Sequence, residues 1–338
     1  MNNRRKLNAA ALLCVSLCLS APGMLIWAHD INETKDVQDA SAADYGEGQY
    51  GALVMGVEDW DTYDETGNPK PAHDTSDYVV AVVDSGVDYR HEDLKNVMWD
   101  EGLDYPSLVA MGGGKYGICT CHNDTEGRLY DSADPLDDFK HGTHVAGIIA
   151  AEWNRRGVSG ITSGARIMAV KINNNKGTNS LDEPVRAYEY IIEAKKAGVN
   201  VRVINNSWHD YVFGHTMDRL VREAGELGIV SIFAAGNLTQ DIDNKDILPS
   251  SLYDNPYAVV VGASDEDGVL TEFSNYGHKN VDLFAPGDWI YSTLPLTMGE
   301  PDGNGHIKEL DLSGFHSTEG FGKCILSMEN VDGVGDLL

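Results

Sequence analysis

The feature that most limits what this chain can fold into is an uninterrupted apolar run, Tyr78-Val79-Val80-Ala81-Val82-Val83, that stops at Asp84-Ser85-Gly86. A strand with one wet face alternates apolar and polar residues; a strand apolar at every position is covered on both faces, as in parallel sheets flanked by helices. Similar runs recur at residues 166–170, 201–204, 229–235, 257–262 and 281–284. Between them lie segments with apolar residues at helical spacing, residues 181–197 (Val185, Tyr188, Ile191, Ile192 and Ala194, closed by Gly198) and 216–227. This alternation predicts an α/β fold with a mostly parallel, doubly wound sheet flanked by helices. Open sheets of that kind place their sites beyond the carboxyl ends of the strands, and Asp84 ends one strand while Gly236-Asn237 ends another. His141-Gly142-Thr143-His144-Val145-Ala146-Gly147 opens an apolar run predicted to be helical to about residue 152, with its first turn available for chemistry. Alone, that run would also suit a loop, a structural metal site or a helix start without function. With Asp84 and Asn237 at the same sheet edge it completes a carboxylate, an imidazole and an amide donor, three parts of an acyl-transfer site.

These residues resemble the subtilisin-like serine proteases. Val82-Val83-Asp84-Ser85-Gly86-Val87-Asp88, His141 to Gly147, Asn206-Ser207-Trp208, Ala234-Ala235-Gly236-Asn237 and Phe284-Ala285-Pro286-Gly287 fall in that family's order, and the resemblance covers roughly residues 49–314. It implies a serine endopeptidase acting on polypeptides, with Asp84 orienting His141, His141 as general base then acid, and Asn237 as oxyanion donor. It implies a substrate-pairing edge at Ser207-Trp208-His209, where the family's Ser-x-Gly glycine is absent. It also implies a calcium turn, with Asp93 and Asn154 as side-chain ligands and the carbonyls of Glu152, Arg156 and Val158.

The family's nucleophile stands in a Gly-Thr-Ser-Met-Ala run that opens a central buried helix. Here Leu312-Ser313-Gly314 is followed by Phe315-His316-Ser317-Thr318-Glu319-Gly320 instead. Ser317 is out of register, and Ser327-Met328 is followed by Glu329-Asn330, charged where the helix should be apolar. The expectation is a serine that is missing or displaced, with the central helix missing or altered. A truncated or mis-joined gene product would account for it, and a non-catalytic peptide-binding relative is the alternative.

The 338 residues, 36 of them glycine and 42% hydrophobic, suit a globular enzyme, and a net charge of −28 argues against nucleic acid or an anionic membrane as partner. The expected protein is a monomer. Residues 1–28 carry Arg4, Arg5 and Lys6 before an almost uncharged stretch, a signal-peptide pattern implying secretion, with an uncleaved anchor as the alternative. Residues 29–48 read as an acidic leader, 49–314 as the peptidase domain and 315–338 as a divergent tail. Cys14 and Cys18 would leave with the signal. Cys119, Cys121 and Cys324 remain, too few for zinc, and leave one disulfide or free thiols. The stretch between Tyr89 and Asp138, with Gly112-Gly113-Gly114, reads as a long surface loop carrying a glycosylation acceptor at Asn123. The acceptors at Asn205 and Asn237 are discounted, because a glycan there would fill the cleft. A nucleotide-binding α/β protein is a further alternative; no Gly-rich phosphate loop follows the first strand.

Overall fold

The computed structural model describes residues 61–63, 69–71, 75–121, 133–154, 157–162, 164–173, 182–208, 214–243, 245, 248–288, 290–295 and 323–325. In chain order the strands are β1 (Asp61–Tyr63), β2 (Pro69–Pro71), β3 (Val79–Asp84), β4 (Gly117–Cys119), β5 (Arg166–Lys171), β6 (Val201–Asn206), β7 (Val230–Ala234), β8 (Ala258–Ser264), β9 (Leu283–Pro286), β10 (Tyr291–Thr293) and β11 (Lys323–Ile325). The helices are α1 (Pro106–Ala110), α2 (His141–Ala150), α3 (Asp182–Lys196) and α4 (Gly214–Glu226). Seven strands form one sheet in the order β4-β5-β3-β6-β7-β8-β9, parallel at every junction, and β1–β2 and β10–β11 are small antiparallel pairs. The parallel α/β sheet expected from the apolar runs is therefore present.

Residue parity divides the core. Val79, Ala81 and Val83 of β3, with Met168 and Val170 of β5, face a layer made with α3 and α4; Val80 and Val82, with Ile167 and Ala169, face the opposite layer with α2. Every residue of β3 is buried, which is why that strand carries no polar alternation. Helix α3 begins with Asp182 and Glu183 and ends with Lys195 and Lys196, charges that complement the helix dipole. On the second face α2 packs on β3, β5 and β10. Val203, Ile232, Val261 and Ala285 continue that apolar layer toward the far edge, where Val230, Val259 and Leu283 are only partly buried. The stretch in which the central helix was expected to be altered, residues 315–322 and the rest of the tail apart from β11, lies outside the described residues.

Two expectations shift. The stretch after Tyr89 is not loop throughout: it contains α1 and the buried edge strand β4, which pairs with β5. The last sheet strand begins at Leu283 rather than residue 281, because the Asp282 carboxylate accepts the Val260 N–H (2.8 Å) just before the β8–β9 ladder starts. Among the described residues no helix is long and apolar enough to cross a membrane.

Candidate active site

Five buried apolar residues force Asp84 to the carboxyl end of β3, where it is 2% exposed. Its two carboxylate oxygens lie 2.8 and 2.9 Å from His141 Nδ1, and Oδ1 also accepts the Ser85 N–H at 2.7 Å. An ionised carboxylate can only accept, so the ring hydrogen sits on Nδ1 and the neutral imidazole keeps its basic lone pair on Nε2. His141 is thus held in one tautomer by a buried partner while its own side chain stays 15% exposed.

His141 is the first residue of α2, so the start of that helix fixes the imidazole. Lys140, at the N-cap, has φ 112° and makes no side-chain cap. Asp137, fully buried, does the capping instead. Its Oδ1 accepts from Phe139 N, Lys140 N and Ser85 Oγ (each 2.9 Å), and its Oδ2 accepts from Thr143 N (3.0 Å) and Thr143 Oγ1 (2.6 Å). Ser85 Oγ in turn accepts the Gly142 N–H at 2.9 Å, and Thr143 Oγ1 accepts the Asp88 N–H at 2.9 Å. Glycine is required at 142, because a Cβ there would come within 2.0 Å of the Gly86 carbonyl oxygen and 3.0 Å of the Asp84 Cβ. These contacts weld the helix start to the turn that carries Asp84.

Two basic side chains adjoin the dyad in different protonation states. Lys171, in register with Asp84 across β3–β5, is buried; its ammonium donates to the Ser85 carbonyl (2.6 Å) and to Asp138 Oδ1 (2.5 Å). Asp137 and Asp138 favour its charged form against the burial that opposes it. His144, 1% exposed, is pushed down to about 3 by burial and by His141, so it is neutral and its Nε2 donates to the Ile290 carbonyl at 3.2 Å.

Asn237 follows β7 and is 9% exposed. Its turn is clamped by Asn275: Oδ1 accepts the N–H groups of Leu238 (2.9 Å) and Gln240 (3.0 Å), and Nδ2 donates to the Ala235 carbonyl (2.9 Å). The strand order places β6 between β3 and β7, so Ser207 and Trp208, just past β6, stand at the edge between Asp84 and Asn237. Ser207 Oγ accepts from Asn205 Nδ2 (2.8 Å), and the Trp208 ring meets Phe233 edge-on at 6.2 Å, so both positions also serve packing. Asn205 and Asn206 are fully buried, which removes Asn205 as a glycan acceptor. His209, Ser317, Ser327, Arg156 and the Asn123 acceptor lie outside the described residues.

The expected calcium positions come together in part. Asp93, 2% exposed, accepts from Asn154 Nδ2 (3.1 Å) and Val158 N (3.4 Å), and its carbonyl accepts the Glu152 N–H (2.8 Å). Gly157 has φ +63°, and a Cβ there would lie 1.8 Å from Asp93 Oδ2, so the turn closes on the carboxylate only with glycine. A buried carboxylate beside a side-chain amide is a donor type that suits a hard cation. Asn154, however, turns its Nδ2 to Asp93, and the Glu152 carbonyl accepts the Asn154 N–H (2.9 Å), which leaves the other turn carbonyls as the further donors a cation would need. Among the described residues there is no cluster of three or more His, Cys, Asp or Glu, so a cation would depend on those carbonyls.

Asp137 and Asn275 were not singled out from the sequence. Asp137 lies in an acidic stretch of similar residues; its one signal is its place as a helix cap before His141-Gly142-Thr143. Asn275 touches the site only through a turn 38 residues away from Asn237 in sequence.

The family model for the subtilase family matches residues 75–312. The chain is 35% identical over 216 residues to the thermophilic serine proteinase of Bacillus sp. (strain AK1), covering 64% of this chain and 45% of that protein. It is 29% identical over 219 residues to thermitase of Thermoactinomyces vulgaris (64% and 66%), and 30% identical over 220 residues to subtilisin-like protease 2 of Plasmodium falciparum (64% and 15%). The chain thus spans less than two thirds of the length of each of these relatives. Among solved structures it is similar to the psychrophilic S41 protease (TM-score 0.51, 26% identity, 65% of this chain and 69% of that one). It shares its fold with the psychrophilic subtilisin-like protease Apa1 from the Antarctic psychrotroph Pseudoalteromonas sp. AS-11 (TM-score 0.52, 23% identity, 74% and 48%). A matched span covering most of the chain, and a parallel sheet with the Asp84–His141 pair at its carboxyl edge, place this chain in the subtilase family.

Proposed function

We propose that the chain is a secreted subtilisin-like serine endopeptidase domain, with Asp84 and His141 as the acid–base pair and Asn237 as the oxyanion donor. The observation that carries this reading is the paired contact of both Asp84 oxygens with His141 Nδ1. In the reaction, His141 Nε2 takes the proton of a serine hydroxyl as its oxygen attacks the substrate carbonyl carbon. The oxygen of that carbonyl becomes an alkoxide, and the Asn237 amide donates to it. His141 then passes the proton to the leaving amine, and water releases the acyl group by the same steps. Asp84 stays ionised and stabilises the imidazolium. Extended substrate pairs with the edge at Ser207-Trp208-His209.

The nucleophile is the missing part, since Ser313-Gly314 is not followed by the family's Gly-Thr-Ser-Met-Ala. That observation favours a second reading, a relative that binds extended peptides without cleaving them. Labelling with a serine-directed fluorophosphonate separates the two. We expect no label and only residual hydrolysis, about 10³–10⁴-fold over water, the level left in subtilisin when the triad is removed. Stoichiometric labelling abolished by Ser317→Ala or Ser327→Ala would identify a displaced nucleophile and reject the loss of the serine.

Asp93 and Asn154, with the carbonyls of Glu152, Arg156 and Val158, would hold calcium. The ion would supply charge neutralisation for the buried Asp93 and fix the turn that follows α2.

A further inference from the structure

Extended chain puts residues i and i+2 on one face. Strand β4 ends at Cys119, Thr120 keeps its backbone bond to β5, and the chain bends at Cys121, so the two thiols come together on one side of the backbone. Both are buried, at 1% and 0% exposure, and their sulfurs are 2.7 Å apart. That is less than 1 Å beyond an S–S bond of about 2.05 Å. The residue between them is fixed: Thr120 N donates to the Lys171 carbonyl (2.8 Å) and Thr120 Oγ1 to the Glu183 carbonyl (3.0 Å). The sulfurs therefore meet on held backbone rather than on a loose loop. In the sheet Cys119 is in register with Lys171, and Lys171 with Asp84, so the thiols sit at the same level as the dyad two strands away.

The two sulfurs are chemically unequal. The hydrogen bond from Cys121 and the nearby Lys171 ammonium hold the Cys119 thiol below its usual range, while the same hydrogen bond and burial push Cys121 up. Cys119 is therefore the readier of the two to give up its proton and Cys121 the readier to keep it, the order that stepwise oxidation needs.

We propose that Cys119 and Cys121 are a modification site, a dithiol that hydrogen peroxide closes to a disulfide and a dithiol reductant reopens. Peroxide is the oxidant class that suits two buried sulfurs, because it is scarcely larger than water. Cys119 Sγ attacks one peroxide oxygen; the O–O bond breaks, hydroxide leaves and takes a proton as water, and Cys119 becomes a sulfenic acid. Cys121 Sγ then attacks Cys119 Sγ; the S–O bond breaks and the departing hydroxide takes the Cys121 proton as a second water. Two thiols and one peroxide thus give one disulfide and two waters.

The test uses the full chain, produced without N-glycosylation, reduced and then treated with hydrogen peroxide under native conditions. Acid quenching, alkylation with iodoacetamide and trypsin digestion follow. Residues 116–128 form one tryptic fragment that contains Cys119 and Cys121 and no other cysteine. The expected result is that fragment without alkyl groups and lighter by two hydrogens than its thiol form, returning to the doubly alkylated form when dithiothreitol precedes alkylation. In Cys121→Ser, Cys119 should stop at the sulfenic acid and be captured by dimedone. The proposal is overturned if the wild-type fragment stays doubly alkylated at peroxide levels that oxidise the chain's methionines. It is also overturned if Cys119 or Cys121 is recovered linked to Cys324 or to a second chain, or only as irreversible sulfinic or sulfonic acid.

Discussion

Replacing Asp137 by alanine removes the acceptor of five hydrogen bonds at the start of α2 and should destabilise the domain without touching the dyad directly. A lost helix cap costs about 1 kcal/mol. The hydroxyls of Ser85 and Thr143 are both buried, and each donor left unsatisfied costs about 1–3 kcal/mol. Against this, burial already pushes the Asp137 carboxyl up, so removing it returns some desolvation energy. The balance is a loss of about 3 kcal/mol from a total stability of about 5–15 kcal/mol. At roughly 2–4 °C per kcal/mol for a domain of this size, Tm should fall by about 6–12 °C. Asp137→Asn keeps one acceptor oxygen and should lose about half as much. Reversible denaturation followed by tryptophan fluorescence measures both. A loss under about 1 kcal/mol in Asp137→Ala would refute the assignment of Asp137 as the group that holds the helix start to β3.

Stability should fall on acidification below about pH 6.5, because the unfolded His144 takes a proton there while the folded one, held down to about 3, does not. The loss is about 2 kcal/mol by pH 5, and His144→Gln should flatten that slope in denaturation curves taken between pH 7 and pH 4. His91, also driven down by burial, acts in the same direction, so the flattening should be partial. Calcium should raise Tm by mass action, worth about 2.7 kcal/mol at 100 times its dissociation constant. Gly157→Ala, whose Cβ would strike the Asp93 carboxylate, should abolish that gain; a calcium response unchanged in this variant would remove the site.

What could be read from the residues followed burial. Runs such as Val79 to Val83 and Ile232 to Ala234 are apolar because both faces of the sheet are covered, and a polar residue at their end stands out; Asp84 and Asn237 were legible for that reason. Strand β4 was not, because three residues framed by glycine and cysteine carry no period, and its burial is imposed by β5 beside it. Asp137 escaped because one aspartate among several reveals its capping role only once α2 is folded against Ser85. Counting cysteines as ligands says nothing of the bend at Cys121 that brings its sulfur against Cys119. The nucleophile question was legible as a departure in sequence, Phe315-His316-Ser317 where a serine-bearing helix was expected.

If Asp84, His141 and Asn237 form a subtilase site that lacks only its serine, as proposed, then supplying that serine should restore cleavage. Replacing the residues after Gly314 with a segment beginning Gly-Thr-Ser-Met-Ala, taken with its helix from an active relative, and measuring peptide hydrolysis tests it most directly. The expected result is recovered turnover that His141→Ala lowers by about 10⁶-fold and Asn237→Ala by about 10²–10³-fold, as in subtilisin. Turnover indifferent to His141, or a folded graft that binds peptide and cleaves nothing, would contradict it.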